Sequence, residues 1–113
     1  MTSTRPSIAI VGAGLGGLTA AATLRLAGFR VRVYEQATRF TRLGAGIQMM
    51  PNSMKVLRRI GIEERVRGTS FQTYSHLNRQ WDTGTVMREL PMPESLFNAP
   101  YLCMHRGDLH EGR

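Results

Sequence analysis

One cysteine, one lysine and one tryptophan are all that this 113-residue chain holds of three residue types on which whole classes of function depend. A single thiol, Cys103, excludes an internal disulfide. With no Cys-x-x-Cys pair and with His76, His105 and His110 in no ligand-like spacing, no metal site is expected; the thiol reads as buried and inert, the histidines as surface or hydrogen-bonded structural residues. Acidic residues are also scarce, eight against fifteen basic ones, for a formal charge of +7. Fourteen of the fifteen are arginines, scattered without forming a block and without interleaved aromatics. That pattern speaks against nucleic acid and for a solvated basic surface that suits anionic ligands. No apolar run approaches the roughly 20 residues of a membrane span, and the first residues, Met1 to Pro6, carry no apolar signal segment. The expected setting is therefore cytoplasmic and reducing, with no membrane partner. The length bounds the chain to one domain at most, small for an enzyme with both a cofactor and a substrate site.

What the chain has in quantity is glycine, twelve residues, and their placing organises the rest. Ile8 to Val11 form an apolar run without alternation, as expected of a parallel strand covered on both faces. Gly12-Ala13-Gly14-Leu15-Gly16-Gly17 follows. Gly12 permits a tight turn, Gly14 lacks the Cβ that would hold backbone amides away from a pyrophosphate, and Gly17 lets a helix lie close on the strand. Leu18 to Ala27 carries Leu18, Ala21, Ala22, Leu24 and Leu26 on a broad apolar side, a helix that Gly28 terminates. A second strand, Phe29 to Glu35, ends in a carboxylate at the distance where an adenosine ribose would be met; its charge would repel a 2′-phosphate and disfavours NADP. The order of strand, glycine turn, helix, strand and acid points to an adenine dinucleotide, with the positive end of the helix facing the diphosphate. Spacing alone leaves FAD and NAD open.

Beyond Glu35, a polar connection leads to Leu43-Gly44-Ala45-Gly46-Ile47-Gln48-Met49-Met50, where two glycines precede a short apolar strand pressed close to a neighbour. Pro51 and Asn52 start a helix with Met54, Leu57 and Ile60 on one side and Lys55, Arg58 and Arg59 on the other, ended by Gly61. Met49, Met50 and Met54 read as core filling. A second short helix covers 62–66 and closes at Gly68. Phe71, Thr73 and Tyr74 suggest a strand, Asp82-Thr83-Gly84 a turn and Thr85-Val86-Met87 a return strand, giving an antiparallel hairpin with Trp81 as a packing or edge residue. Pro91 and Pro93 interrupt, Ser95 to Asn98 form one helical turn, and Tyr101 to Met104 is a short apolar strand that delivers Arg106.

In these positions the chain resembles the single-component FAD-dependent aromatic hydroxylases, in the branch of salicylate hydroxylase and 6-hydroxynicotinate monooxygenase. The likeness rests on the dinucleotide unit, on Gly44-Ala45-Gly46-Ile47-Gln48 with Pro51-Asn52, and on His105-Arg106-Gly107-Asp108-Leu109, in that order. It implies an α/β fold, an incomplete Rossmann-like FAD-binding domain: residues 1–70 its N-terminal part, 71–100 a hairpin belonging to the substrate-domain sheet, 101–113 a return to the FAD-binding domain. It further implies that Gly12, Ala13, Gly14, Leu15 and Gly16 line the FAD pyrophosphate. Glu35 would meet the adenosine ribose and Gln36 the adjoining adenosine. Arg106, and more weakly Arg42, would bond the ribityl chain or phosphates, with Gly46 and Ile47 passing near the isoalloxazine. Gln48 would face flavin or substrate; some hydroxypyridine enzymes of the branch have histidine there, and an amide cannot act as their base. NADH or NADPH would be the co-substrate and a phenolic or pyridine carboxylic acid the substrate. The chain matches only the N-terminal part of such an enzyme, so a truncated product or N-terminal piece, not catalytic by itself, is expected. An NAD-binding module of another oxidoreductase and a non-functional piece are the competing readings.

Overall fold

The computed structural model describes residues 5–40 and 44–111. Strand β1 (Ser7–Val11), helix α1 (Leu15–Leu26) and strand β2 (Arg30–Tyr34) form the strand-helix-strand unit. The two strands pair in parallel, from Ser7 opposite Arg30 to Val11 opposite Tyr34. Helix α1 starts at Leu15, ahead of the expected Leu18, because Gly14 is its N-cap and already accepts the Leu18 N–H at 2.9 Å. It stops where expected. Gly28, at φ +85°, gives its N–H to Arg25 O at 2.9 Å, and Phe29 gives its own to Leu24 O at 3.0 Å, the paired bonds of a Schellman motif. Arg5 adds a cation at that end through a bond to Ala27 O.

Two glycines of the turn are required by the backbone itself. Gly12 sits at φ +101°, where a side chain is strained, and a Cβ on Gly17 would lie 2.0 Å from Gly12 O, so α1 crosses the turn at a distance only glycine permits. The expected cover on both faces of β1 is not found: the strand alternates between exposed and half-buried residues, and Val11 is 89% exposed. Among the described residues β2 is the one strand paired with β1, and α1 covers a single side.

The remaining elements are β3 (Gly46–Met49), α2 (Pro51–Arg59), α3 (Glu63–Gly68), β4 (Phe71–Thr73), β5 (Ser75–Arg79), β6 (Val86–Pro91), α4 (Glu94–Phe97), β7 (Tyr101–His105) and α5 (Arg106–Glu111). Strand β7 is the centre of a second sheet, antiparallel to β3 on one edge and to β4 on the other. Here lies the core. Met54 and Leu57 from α2, Val66 from α3, Ala99, and Leu102 and Met104 from β7 pack together, with Ile47, Met49, Ile60, Ile62 and Leu109 at the margin. Helix α2 carries Pro51 at its first position and ends in a second Schellman motif at Gly61, so Met54 and Leu57 face inward while Lys55, Arg58 and Arg59 stay in solvent. Met50, expected in the core, is instead the exposed N-cap of this helix.

The strand expected over Phe71 to Tyr74 divides in two. Phe71–Thr73 pairs with β7, and the hairpin is made by β5 and β6 around the turn at 80–85, where Gln80 N–H reaches Thr85 O at 2.8 Å. Trp81, read as a packing or edge residue, is 95% exposed on that turn, which leaves the edge reading and removes the packing one. Among the described residues β5 and β6 pair only with each other, and the chain is drawn out: its radius of gyration is 17.9 Å, against about 13 Å for a compact 100-residue domain.

Charge fastens the helices that flank the second sheet. Glu63, only 8% exposed, accepts bonds from Arg58 and from Arg67 Nη2 at 3.0 Å; Arg67 also reaches Glu94, which Gln72 Nε2 meets at 3.2 Å, and Arg58 Nη1 donates to Asn98 O at 2.9 Å. The Arg58 and Arg67 guanidiniums hold the Glu63 carboxyl below the usual carboxylate range against the opposing effect of burial. The network contributes stability above the ordinary carboxylate pKa and loses it as pH falls through the lowered one. No helix of the described residues is long and apolar enough to cross a membrane.

Candidate functional site

The end of β1, the start of α1, the segment after β2 and the first turn of α5 converge on a cleft of about 220 Å³. Its walls bring together four of the residues singled out in the sequence, Ala13, Gly14, Glu35 and Arg106, and add Ala37, Arg39, Phe40, Gly107 and His110. Others stand beside it. Gly12 makes the turn and donates to Tyr34 O at 2.6 Å; Leu15 and Gly16 open α1 and line a neighbouring apolar groove; Gln36 is exposed outside the cleft wall. Gly46, Ile47 and Gln48 lie on β3, apart from the cleft: Ile47 packs on the core, while Gln48 is exposed and paired with Cys103. Arg42 lies outside the described residues. Cys103 is half-buried, with its Sγ 3.3 Å from Thr73 Oγ1. Among the described residues no group of ligating side chains is placed to hold a metal.

The glycines separate what the fold requires from what it does not. Gly12 and Gly17 are fixed by backbone geometry. Gly14 is different: its φ of −67° is ordinary, and a Cβ there would meet no protein atom within 4 Å. Beyond its value as the N-cap of α1, no contact within the chain calls for glycine here, and the open space at the mouth of α1 admits another molecule. No side chain caps α1 and no acid lies in its first turn, so its leading N–H groups and the positive end of its dipole remain available to an anion.

Across the cleft, Glu35 is held in a single orientation. Its Oε2 accepts the Ala13 N–H at 2.7 Å and its Oε1 the Ala37 N–H at 2.9 Å. The Ala37 and Ala13 amides, in that order, keep the carboxyl below its ordinary range, so it is ionised throughout neutral pH. A carboxylate offers about four acceptor positions, and two remain for the vicinal hydroxyls of a sugar. Arg106 enters through the strand pairing: β7 runs between β3 and β4, and α5 begins at Arg106 itself, whose N–H reaches Ala45 O at 3.4 Å. Gly44, at φ +134°, leaves room for the Arg106 side chain 3.5 Å from where its Cβ would be.

Arg39, Phe40 and His110 were missed in the sequence. His110 had a signal, since it follows Arg106 by four residues and so shares its face on a helix. The adjoining groove is larger, about 680 Å³, but it is lined mainly by leucine, isoleucine and alanine, and its Thr19 hydroxyl is bonded to Leu15 O at 2.7 Å. Of these two, it is the smaller cleft in which anion donors and a sugar acceptor meet, and its volume, below the roughly 300–1,000 Å³ of whole-ligand pockets, suits one section of a dinucleotide.

Comparison with known proteins gives an independent view. Residues 5–104 match the family model described as FAD binding domain. The chain is 50% identical over 111 residues to 6-hydroxynicotinate 3-monooxygenase of Pseudomonas fluorescens, covering 96% of this chain and 29% of that protein. It is 42% identical over 106 residues to 3-amino-4-hydroxybenzoate 2-monooxygenase of Streptomyces cremeus, covering 91% of this chain and 27% of that protein. Among solved structures, tetrameric 2-methyl-3-hydroxypyridine-5-carboxylic acid oxygenase superposes with a TM-score of 0.78 at 26% identity, over 97% of this chain and 28% of the other. The chain thus spans less than a third of the length of the relatives it matches.

Proposed function

The chain belongs to the FAD binding domain family, and from that premise we propose that it is the adenosine- and diphosphate-binding segment of a flavin monooxygenase acting on an aromatic acid. The observation that carries the reading is the convergence of Gly14, Glu35 and Arg106, far apart in sequence, on one cleft at the start of α1. Gly14 and the leading amides of α1 receive the diphosphate, Glu35 accepts the ribose hydroxyls, and Arg106 with Arg39 balances the phosphate charge; Gln36 lies toward the adenosine. Arg42 belongs to the same proposed set. Gly46 and Ile47 offer backbone toward the flavin ring, and Gln48, on the exposed face of β3, presents an amide to flavin or substrate.

When bound, FAD supplies the redox chemistry, taking electrons from NADH or NADPH and delivering oxygen to an electron-rich ring. The chain's own residues bind and orient it. We assign residues 1–70 and 101–113 to the FAD-binding domain and 71–100 to the substrate-domain sheet, in a cytoplasmic enzyme whose substrate is a phenolic or pyridine carboxylic acid. A plain NAD-binding module is not favoured, since it has no need of the second sheet that delivers Arg106.

Gly14→Ala tests the assignment. Its Cβ meets no protein atom, so the cost to the fold is that of alanine as a poorer N-cap, about 1 kcal/mol, and the melting temperature is expected to fall by no more than about 8 °C. FAD affinity, read from quenching of flavin fluorescence, should fall at least tenfold. Unchanged affinity would remove the diphosphate from this loop.

A further inference from the structure

On the strength of the reading of this cleft as a dinucleotide site, we propose that His110 is a positioning residue that presets the glycine turn for the diphosphate. Its Nε2 is bonded to Ala13 O, reaching from α5 back across almost the whole chain. The Ala13 N–H is taken at the same time by Glu35 Oε2 at 2.7 Å. Both polar groups of Ala13 are therefore held by side chains from two separate elements, one ending β2 and one on α5. A trans peptide directs its C=O and its N–H to opposite sides. Fixing Ala13 O therefore fixes where the Gly14 N–H points, and that amide belongs to the residue whose Cβ space the protein leaves empty. Phe40 secures the imidazole, edge to face, with ring centroids 4.0 Å apart at 76°. The bond to a carbonyl needs the proton on Nε2, a requirement met by that neutral tautomer and by the imidazolium alike.

An amide side chain of similar reach repeats this donor without the ring, so the test uses His110→Ala and His110→Gln in the full chain, with FAD binding followed by flavin fluorescence and the Gly14 amide followed by ¹⁵N–¹H spectra without ligand. The expected result is FAD affinity about tenfold weaker in His110→Ala, the loss of one hydrogen bond's worth of preorganisation, and within about threefold of the parent in His110→Gln. The Gly14 amide signal should shift and broaden in His110→Ala alone. Parent-like affinity in His110→Ala, or a tenfold loss in His110→Gln, would overturn the positioning role while leaving the site intact. A parent chain that folds and binds no FAD would overturn the site itself and this role with it. Should His110→Ala fail to fold, His110→Gln decides alone.

Discussion

Gly17→Ala is expected to destabilise the strand-helix-strand unit strongly, even though alanine is the better helix former. In an exposed helix the exchange would stabilise by about 1 kcal/mol. Here the added Cβ would lie 2.0 Å from Gly12 O, where about 3.3 Å is the closest ordinary approach of carbon to a carbonyl oxygen. The obstacle is backbone, and it is anchored: Gly12 donates to Tyr34 O at 2.6 Å and cannot retreat without breaking the turn out of β1. Overpacking costs about 1–3 kcal/mol where flexible side chains give way, so a clash against fixed backbone should reach the upper end or exceed it. A net loss of about 2 kcal/mol or more lowers the melting temperature of a domain this size by roughly 10 °C, and FAD binding should vanish with the turn. Calorimetry or circular dichroism checks it. An unchanged melting curve would mean that α1 does not cross the turn where the structure has it.

Glu35→Ala should act on binding more than on folding. The carboxylate is exposed, and its bonds to the Ala13 and Ala37 amides would pass to water in its absence, so the fold should persist. The sugar loses its charged acceptor, and FAD affinity should fall by about 10- to 100-fold, the range for hydrogen bonds to an ionised group. The pH profile carries the same signature. Because the Ala37 and Ala13 amides depress the carboxyl's pKa, the ionised form survives below the ordinary value of about 4.3. The Glu35-dependent part of the affinity should therefore stay level from neutral pH through that value and decline only as pH falls through the lowered pKa. A decline centred above pH 5, or equal affinity in Glu35→Ala, would contradict the assignment.

The dinucleotide unit was legible because its physics is local. A tight turn, a close helix crossing and a terminal acid each demand one residue type at one position, and Gly12, Gly17 and Glu35 meet those demands within thirty residues. Gly28 and Gly61 were readable as helix stops for the same reason. What the sequence hid was non-local. Nothing in the run from Ile8 to Val11 reveals that β1 has a strand on only one edge, so the continuous apolar pattern overstated its cover. Phe71–Thr73 and Ser75–Arg79 are separated by Tyr74 alone, itself a good strand former, and it is their different partners, β7 and β6, that divide them. Within the site, Gly14 and Arg106 could be named from motifs, whereas His110 and Phe40 gained meaning only when α5 folded back onto Ala13. The resemblance to aromatic hydroxylases supplied what spacing could not, a choice of FAD over NAD.

The whole account rests on the glycine turn and Glu35 forming a working adenosine-diphosphate cradle. Titrating the full chain, its fold verified by circular dichroism, with FAD while following flavin fluorescence addresses that directly, with ADP-ribose as competitor and riboflavin titrated separately in place of FAD. The expected result is saturable quenching of FAD that ADP-ribose relieves, with riboflavin left unquenched over the same range. FAD quenching that ADP-ribose leaves in place, or a folded chain that leaves FAD fluorescence unchanged, would contradict it.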